Sequence, residues 1–263
     1  MRPYLAIFSS RFRMLLQYRA AALAGVGTNL FFGIVRMMIF DAFYRSSSAP
    51  QPMTREEVMT YIWLGQTFLL LALLDVDRDV AAMIRTGNVA YELTRPLDLY
   101  SLWFARAISG RAAPLAMRAV PILAVAGLFF GLRAPSSPAA GALFAVALFG
   151  GLLLASSMIA LMTISMVWTI SGEGISRIAP PLVFFFSGIA VPLPLFPDWM
   201  QGIFAALPFR GLIDTPFRVY LGQLNGAPAI AALGQQCAWI IVFVVVGRLI
   251  LARSLRRLVV QGG

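Results

Sequence analysis

Six apolar runs punctuate this 263-residue chain, at 20–44, 58–74, 112–132, 139–170, 175–196 and 229–252. A bilayer-spanning helix needs about 20 mainly apolar residues, so the pattern predicts six spans, the fifth interrupted by prolines. Ahead of the first run, residues 1–18 alternate at helical spacing. Tyr4, Leu5, Phe8, Phe12, Leu15 and Leu16 share one face, while Arg2, Ser9, Ser10, Arg13 and Gln17 take the other. This predicts an amphipathic helix lying in the membrane interface, or else an extension of the first span. It is not read as a cleaved signal, because nineteen residues precede a run long enough to span. The polar stretches 46–57 and 133–138 read as ordinary turns at span ends. No repeat of fixed period and no low-complexity tract appears.

Composition agrees with the pattern. Hydrophobic residues make up 60% of the chain and charged residues 12%, about half the charged share of a soluble domain. Mean hydropathy is +0.82. The expected fold class is all-α integral membrane, a single transmembrane unit over 1–263. The net charge of +10 does not indicate nucleic acid, since the arginines fall between apolar runs instead of forming a docking face. Their placement orients the chain. With the N-terminus inside, thirteen arginines lie on the inner side and five (Arg45, Arg55, Arg133, Arg210, Arg218) on the outer side. That bias predicts both termini in the cytoplasm. Arg36, Arg118 and Arg248 lie within spans.

Between the second and third runs, residues 75–111 hold ten of the chain's 32 charged residues. Asp75, Asp77 and Asp79 suit a helix N-terminus. The following DRDVAAMIRTG reads as two to three helical turns stopped by Gly87 at a C′ position. Asn88 to Leu93 predicts a second short helix, ended by Pro96. The result is a cytoplasmic hairpin too small to bind a nucleotide. No GxxxxGK[ST] phosphate loop occurs, and the chain has no lysine to complete one. If ATP drives this protein, another polypeptide supplies it, and the hairpin is read as a plug for that partner. Ile84 and Tyr91 are the expected apolar anchors and Arg85 and Glu92 a charged rim. Arg78, Thr86, Gly87 and Asn88 complete the candidate set.

Pro192, Pro194 and Pro197 stop the fifth span early. The stretch DWMQGIFAALP then predicts a short apolar helix carrying Trp199, Ile203, Phe204 and Leu207, with Asp198 as N-cap. It is too short to cross. It reads either as a re-entrant helix sealing the outer end of a pathway, within a region 197–222, or as an interfacial helix anchored by Trp199. Arg36 and Asp41, five apart in the outer half of the first span, are candidates for pairing, for substrate contact or for snorkelling. Among the uncharged polar residues of the spans (Thr67, Ser156, Ser157, Thr163, Ser165 and Thr169 included), most are expected to bond between helices or to their own backbone. Asn29 and Gln66, with Arg36 and Phe185, are the candidate pathway residues. Glu173 reads as a loop charge or a second, smaller partner contact.

These motifs carry a family resemblance. "MIRTGNVAYELTRPLD" resembles the coupling helix of type-2 ATP-binding-cassette exporter permeases through Arg85, Thr86, Gly87, Pro96 and Leu97. "FFFSGIAVPLPLFPDWMQGIFAALPFRGLIDTPFRVYLG" closely resembles that family's fifth span and outer re-entrant region, through Gly188, Pro192, Pro197, Trp199, Pro208, Phe209, Pro216 and Gly222. The chain is most similar to the small six-span bacterial subgroup. The resemblance implies a multi-pass subunit of the bacterial plasma membrane, an outer gate at Pro192, Pro197, Trp199, Pro208 and Phe209, and a second permease subunit, identical or paralogous. It also implies a cytosolic ATPase dimer that binds ATP and Mg, with no cofactor on this chain, and export of cargo. Apolar spans suit amphipathic or hydrophobic cargo such as a drug, lipid-like compound or peptide.

Two other classes compete. An intramembrane enzyme needs a nucleophile with a base, or a metal site. The chain has no histidine, no lysine and the single cysteine Cys237, so neither a catalytic residue nor a metal ligand is assigned. An ion-coupled secondary transporter predicts mid-membrane carboxylates and repeat-related broken helices, which Asp41 alone does not meet.

Overall fold

Turn chemistry and apolar length together set where the helices begin and end. The computed structural model describes residues 2–47, 49–169 and 173–255, and among these the regular structure is helical, without strands. In chain order the helices are α1 (Arg2–Leu15), α2 (Arg19–Ser46), α3 (Arg55–Phe68), α4 (Arg78–Arg85), α5 (Val89–Leu93) and α6 (Leu99–Phe129). They continue with α7 (Pro138–Thr169), α8 (Glu173–Phe186), α9 (Asp198–Ala206), α10 (Asp214–Tyr220) and α11 (Gly226–Leu255). Glu173, expected in a loop, opens α8. The side chains of Arg2, Thr169 and Glu173, and the residues Arg256 and Arg257, lie outside what is described.

Among the described residues four helices are long and apolar enough to cross a membrane: α2, α6, α11 and α7 as far as Val167. They coincide with the first, third, fourth and sixth predicted spans. The other two predicted spans form shorter helices. α3 has 14 residues and is prolonged by a 3-10 turn at Leu69–Leu71. A capping box fixes its start: Thr54 accepts from the Glu57 amide at 3.2 Å while the Glu57 carboxylate accepts from the Thr54 amide at 2.7 Å. Every residue from Val58 to Phe68 is buried, so α3 is a core helix wrapped by its neighbours. α8, also 14 residues, stops at Phe186, ahead of Gly188 at φ +89°.

α7 is the hub. It packs against α11 most extensively, and against α6 and α10. A Cβ on Gly151 would lie 3.2 Å from the carbonyl of Leu212, so glycine lets the loop after α9 press onto α7. The core joins Leu64, Leu71, Leu154, Ile159, Leu212 and Phe217 among others. α1 lies along α6. Tyr4 and Ile7 pack inward, whereas Leu5, expected on the apolar face, is exposed.

The two ends of the bundle are built by separate sets of polar contacts. At one end Arg55 and Arg45 meet Asp41, Arg133 meets Glu56, and Gln223 reaches Glu57 at 3.2 Å. At the other, the Asp98 amide donates to the Tyr4 hydroxyl at 2.8 Å, Arg248 lies 3.4 Å from Asp98, and the Asp77 amide donates to Thr163 at 3.3 Å.

Candidate functional site

The charged segment folds as its residues predict. Asp77 is the N-cap of α4, accepting from the amides of Asp79 at 3.0 Å and Val80 at 3.3 Å. The helix ends at Thr86, Gly87 turns the chain at φ +75°, and α5 follows at once. Val80 and Val89 are buried against Leu99, Tyr100 and Trp103 of α6 and Ile164 of α7. The hairpin is thus moulded to the bundle along one side and free along the other.

A charge network fastens it. Arg106 of α6 lies 3.3 Å from Asp77, 3.3 Å from Asp79 and 3.5 Å from Glu92. Arg11 of α1 approaches the same two aspartates at 3.1 and 3.2 Å. Trp103 donates its indole N–H to the second Glu92 oxygen at 2.7 Å. Burial acts to raise the Asp77 carboxyl, but Arg106 and Arg11 outweigh it and hold Asp77 below its usual range. Glu92 is therefore no rim charge. It is buried and points into the bundle, because Trp103 and Arg106 lie one and two turns along α6 on the side that α5 covers. Ile84 is likewise half-buried, packed against the same core instead of projecting as a free anchor. The free side carries Arg78, Arg85, Thr86, Gly87, Asn88 and Tyr91. Tyr91, 72% exposed, is its large aromatic.

At the opposite end the break after α8 is held from three directions. Arg36 of α2 donates to the carbonyls of Ile189 and Ala190. The Asp214 amide donates to the Ser187 carbonyl at 3.1 Å. Tyr61 of α3 donates to the Asp214 carboxylate at 3.2 Å, and Arg218 lies 3.7 Å from it. Gly188 fits because a Cβ there would collide with the Tyr61 hydroxyl and lie 3.3 Å from Asp214 Cβ. Arg36 does not pair with Asp41, which Arg45 and Arg55 occupy. The carbonyls freed where the helix ends attract the guanidinium more closely.

Beyond the break, Pro192 precedes a 3-10 turn at Leu193–Leu195. Gln201 ties α9 back to it, donating to the carbonyls of Leu193 at 2.9 Å and Phe196 at 3.0 Å. Pro197 occupies the N-cap position of α9 without a side-chain cap, so Asp198 is the first helical residue and not the cap. Phe204 faces inward, with its ring 5.1 Å from Phe196 and 5.9 Å from Phe186. Phe185 stacks edge-on against Phe196 at 5.3 Å, and Phe209, after Pro208, meets Phe186 at 6.0 Å. Trp199 projects outward, 72% exposed.

Asn29 and Gln66 lie against each other: the Asn29 side-chain amide donates to the Gln66 backbone carbonyl at 2.8 Å. Both side chains are buried between α2 and α3, and Gln66 Oε1 has no partner among the described residues. Among the described residues no group of three or more acidic or cysteine side chains could hold a metal ion. Sequence reasoning did not single out Arg11, Trp103, Arg106, Tyr61 or Asp214. Only the concentration of arginine and aspartate near 75–111 signalled the first network.

The family described as ABC-2 family transporter protein matches residues 30–262, which takes in both regions. No curated protein and no solved structure matches the chain. The agreement spans nearly the whole length, from mid-α2 past the end of α11. This chain therefore belongs to the ABC-2 transporter family of membrane proteins.

Proposed function

We propose that this chain is the membrane-spanning subunit of an ATP-driven exporter, working as half of a homo- or heterodimer with a separate cytosolic ATPase. The observation that carries the reading is the hairpin α4–α5. It is anchored to α1, α6 and α7 on one side and presents Tyr91, Arg85 and Asn88 on the other. A partner pushing on the free side would move the bundle and not merely the loop. The break at 187–197 and α9 then act as the outer gate, with Trp199 on its outward surface. Six crossings fit this reading: α3 with its 3-10 turn is roughly 27 Å long and connects the two polar ends, and α8 returns the chain to the outer one. Both termini lie in the cytoplasm of a bacterial cell. The cargo is amphipathic or hydrophobic, and ATP and Mg stay with the partner.

The test is co-purification of the ATPase and its stimulated turnover in lipid. Tyr91→Ala removes the exposed anchor, and Gly87→Val puts a β-branched residue at positive φ. Each is expected to weaken association or coupled turnover about tenfold or more. Arg85→Ala is expected to be milder and salt-sensitive. Wild-type association and turnover in both severe variants would remove the coupling role from the hairpin.

A further inference from the structure

Three arginines lie well inside the apolar runs of the long helices, and two of them have partners. Arg36 bonds the carbonyls of Ile189 and Ala190. Arg248 lies 3.4 Å from Asp98, donates to Ser101 at 3.1 Å and stacks over the Tyr100 ring at 5.2 Å. Arg118 has neither a hydrogen bond nor an ion pair among the described residues, and its Nε is buried. Arg118 sits twelve residues, about 18 Å, further along α6 than Arg106, which the carboxylates of the charged segment hold.

The guanidinium rests on α2 at Gly25. A Cβ built there would lie 2.6 Å from Nη2 and 2.7 Å from Nε of Arg118, so the absent side chain makes the seat. Gly25 is six residues, about 9 Å, inside the start of α2. Side chains on a helix lean toward its N-terminus, and both α2 and α6 begin at the end that holds the charged segment. The guanidinium therefore reaches toward the leaflet on that side. Deeper along the same faces, Phe32 of α2 and Phe129 of α6 are 53% and 75% exposed, an apolar wall beyond the charge.

A bare guanidinium at this depth is costly and calls for an anion. The long helices of a second copy have none to offer there. The single carboxylate within α2, α6, α7 and α11 is Asp41, at the far end of α2 and already bound by Arg45 and Arg55. Guanidinium matches phosphate through paired N–H donors. We propose that Arg118, seated on Gly25 between α2 and α6, holds the phosphate of a phospholipid from the leaflet on the side of the charged segment.

Native mass spectrometry of the full chain, with dioleoyl-phosphatidylglycerol as probe, tests this. Wild type is expected to keep one lipid that Arg118→Gln loses, with apparent affinity falling roughly tenfold or more. Arg118→Lys should keep part of it. Gly25→Ala, which displaces the guanidinium without removing charge, should also weaken binding. Dioleoylglycerol, lacking the phosphate, should not occupy the site, and excess inorganic phosphate should not empty it. Equal lipid retention by wild type, Arg118→Gln and Gly25→Ala overturns the proposal. Displacement by inorganic phosphate overturns the lipid as its source.

Discussion

Glu92 shows how one carboxylate can change meaning once its surroundings are known. At an exposed rim it would contribute little; buried between Trp103 and Arg106 it holds α5 against α6. Glu92→Ala leaves the Trp103 N–H without an acceptor and Arg106 with one carboxylate fewer. The expected cost is about 1–3 kcal/mol, read as a lowered unfolding temperature of the full chain in lipid. Glu92→Gln keeps an acceptor for Trp103 and should lose less, so equal losses would place the effect elsewhere. Asp77 carries a pH signature. Its carboxyl is held below the usual range by Arg106 and Arg11, so its stabilising contribution is complete above the unfolded value of about 3.9. That contribution disappears only as pH falls through the still lower folded value. The gap in unfolding temperature between wild type and Asp77→Asn should therefore be as wide at pH 5 as at pH 7. A gap that closed between those values would show that the network does not hold Asp77 ionised.

At the scale of elements, what could be read in the sequence was what local chemistry determines. Gly87 stops α4 because a left-handed turn there suits glycine, and Pro96 lies past the end of α5 because proline cannot continue a helix. The break near Pro192 was legible for the same reason. Its fastening was not, because Arg36 meets the carbonyl of Ile189 across 153 residues and Tyr61 meets Asp214 across the same separation. No local pattern announces a pairing at that distance, and the sequence offers the nearer Asp41 only as one of several candidate contacts for Arg36. Local spacing also could not show that α3 is enclosed by protein, since its composition resembles that of a lipid-facing helix. The fastening has a consequence. Arg36→Met removes the donor to two carbonyls at the broken end of α8 while retaining bulk. The break should loosen, and amide exchange at 187–197 should quicken by about tenfold or more relative to α7, the loss of a charged hydrogen bond. Unchanged protection at 187–197 would show that Tyr61 and Asp214 hold the break without it.

For the whole molecule, the two polar ends impose an alternation that any topology must respect. Asp41, Arg55, Glu56, Arg133 and Gln223 gather at one end, and Tyr4, Arg11, Asp77, Asp98, Arg106 and Arg248 at the other. The chain passes between them along α2, α3, α6, α7 and α11, and in the proposed orientation, drawn from the arginine asymmetry, the second end lies in the cytoplasm. Labelling reads this directly once the exposed native Cys237 is replaced by alanine. Ser47→Cys, at the C-cap of α2, and Ser137→Cys, before α7, should react with a membrane-impermeant maleimide in intact cells. Thr86→Cys, exposed on the hairpin, should react only after the membrane is opened. Reversed labelling of all three would invert the orientation and leave the hairpin without access to a cytosolic ATPase. Labelling of Thr86→Cys and Ser137→Cys from the same side would do more, because an odd number of crossings could not then lie between them. In that case α6 would not span, and the hairpin α4–α5 and the break after α8 would have no bilayer between them.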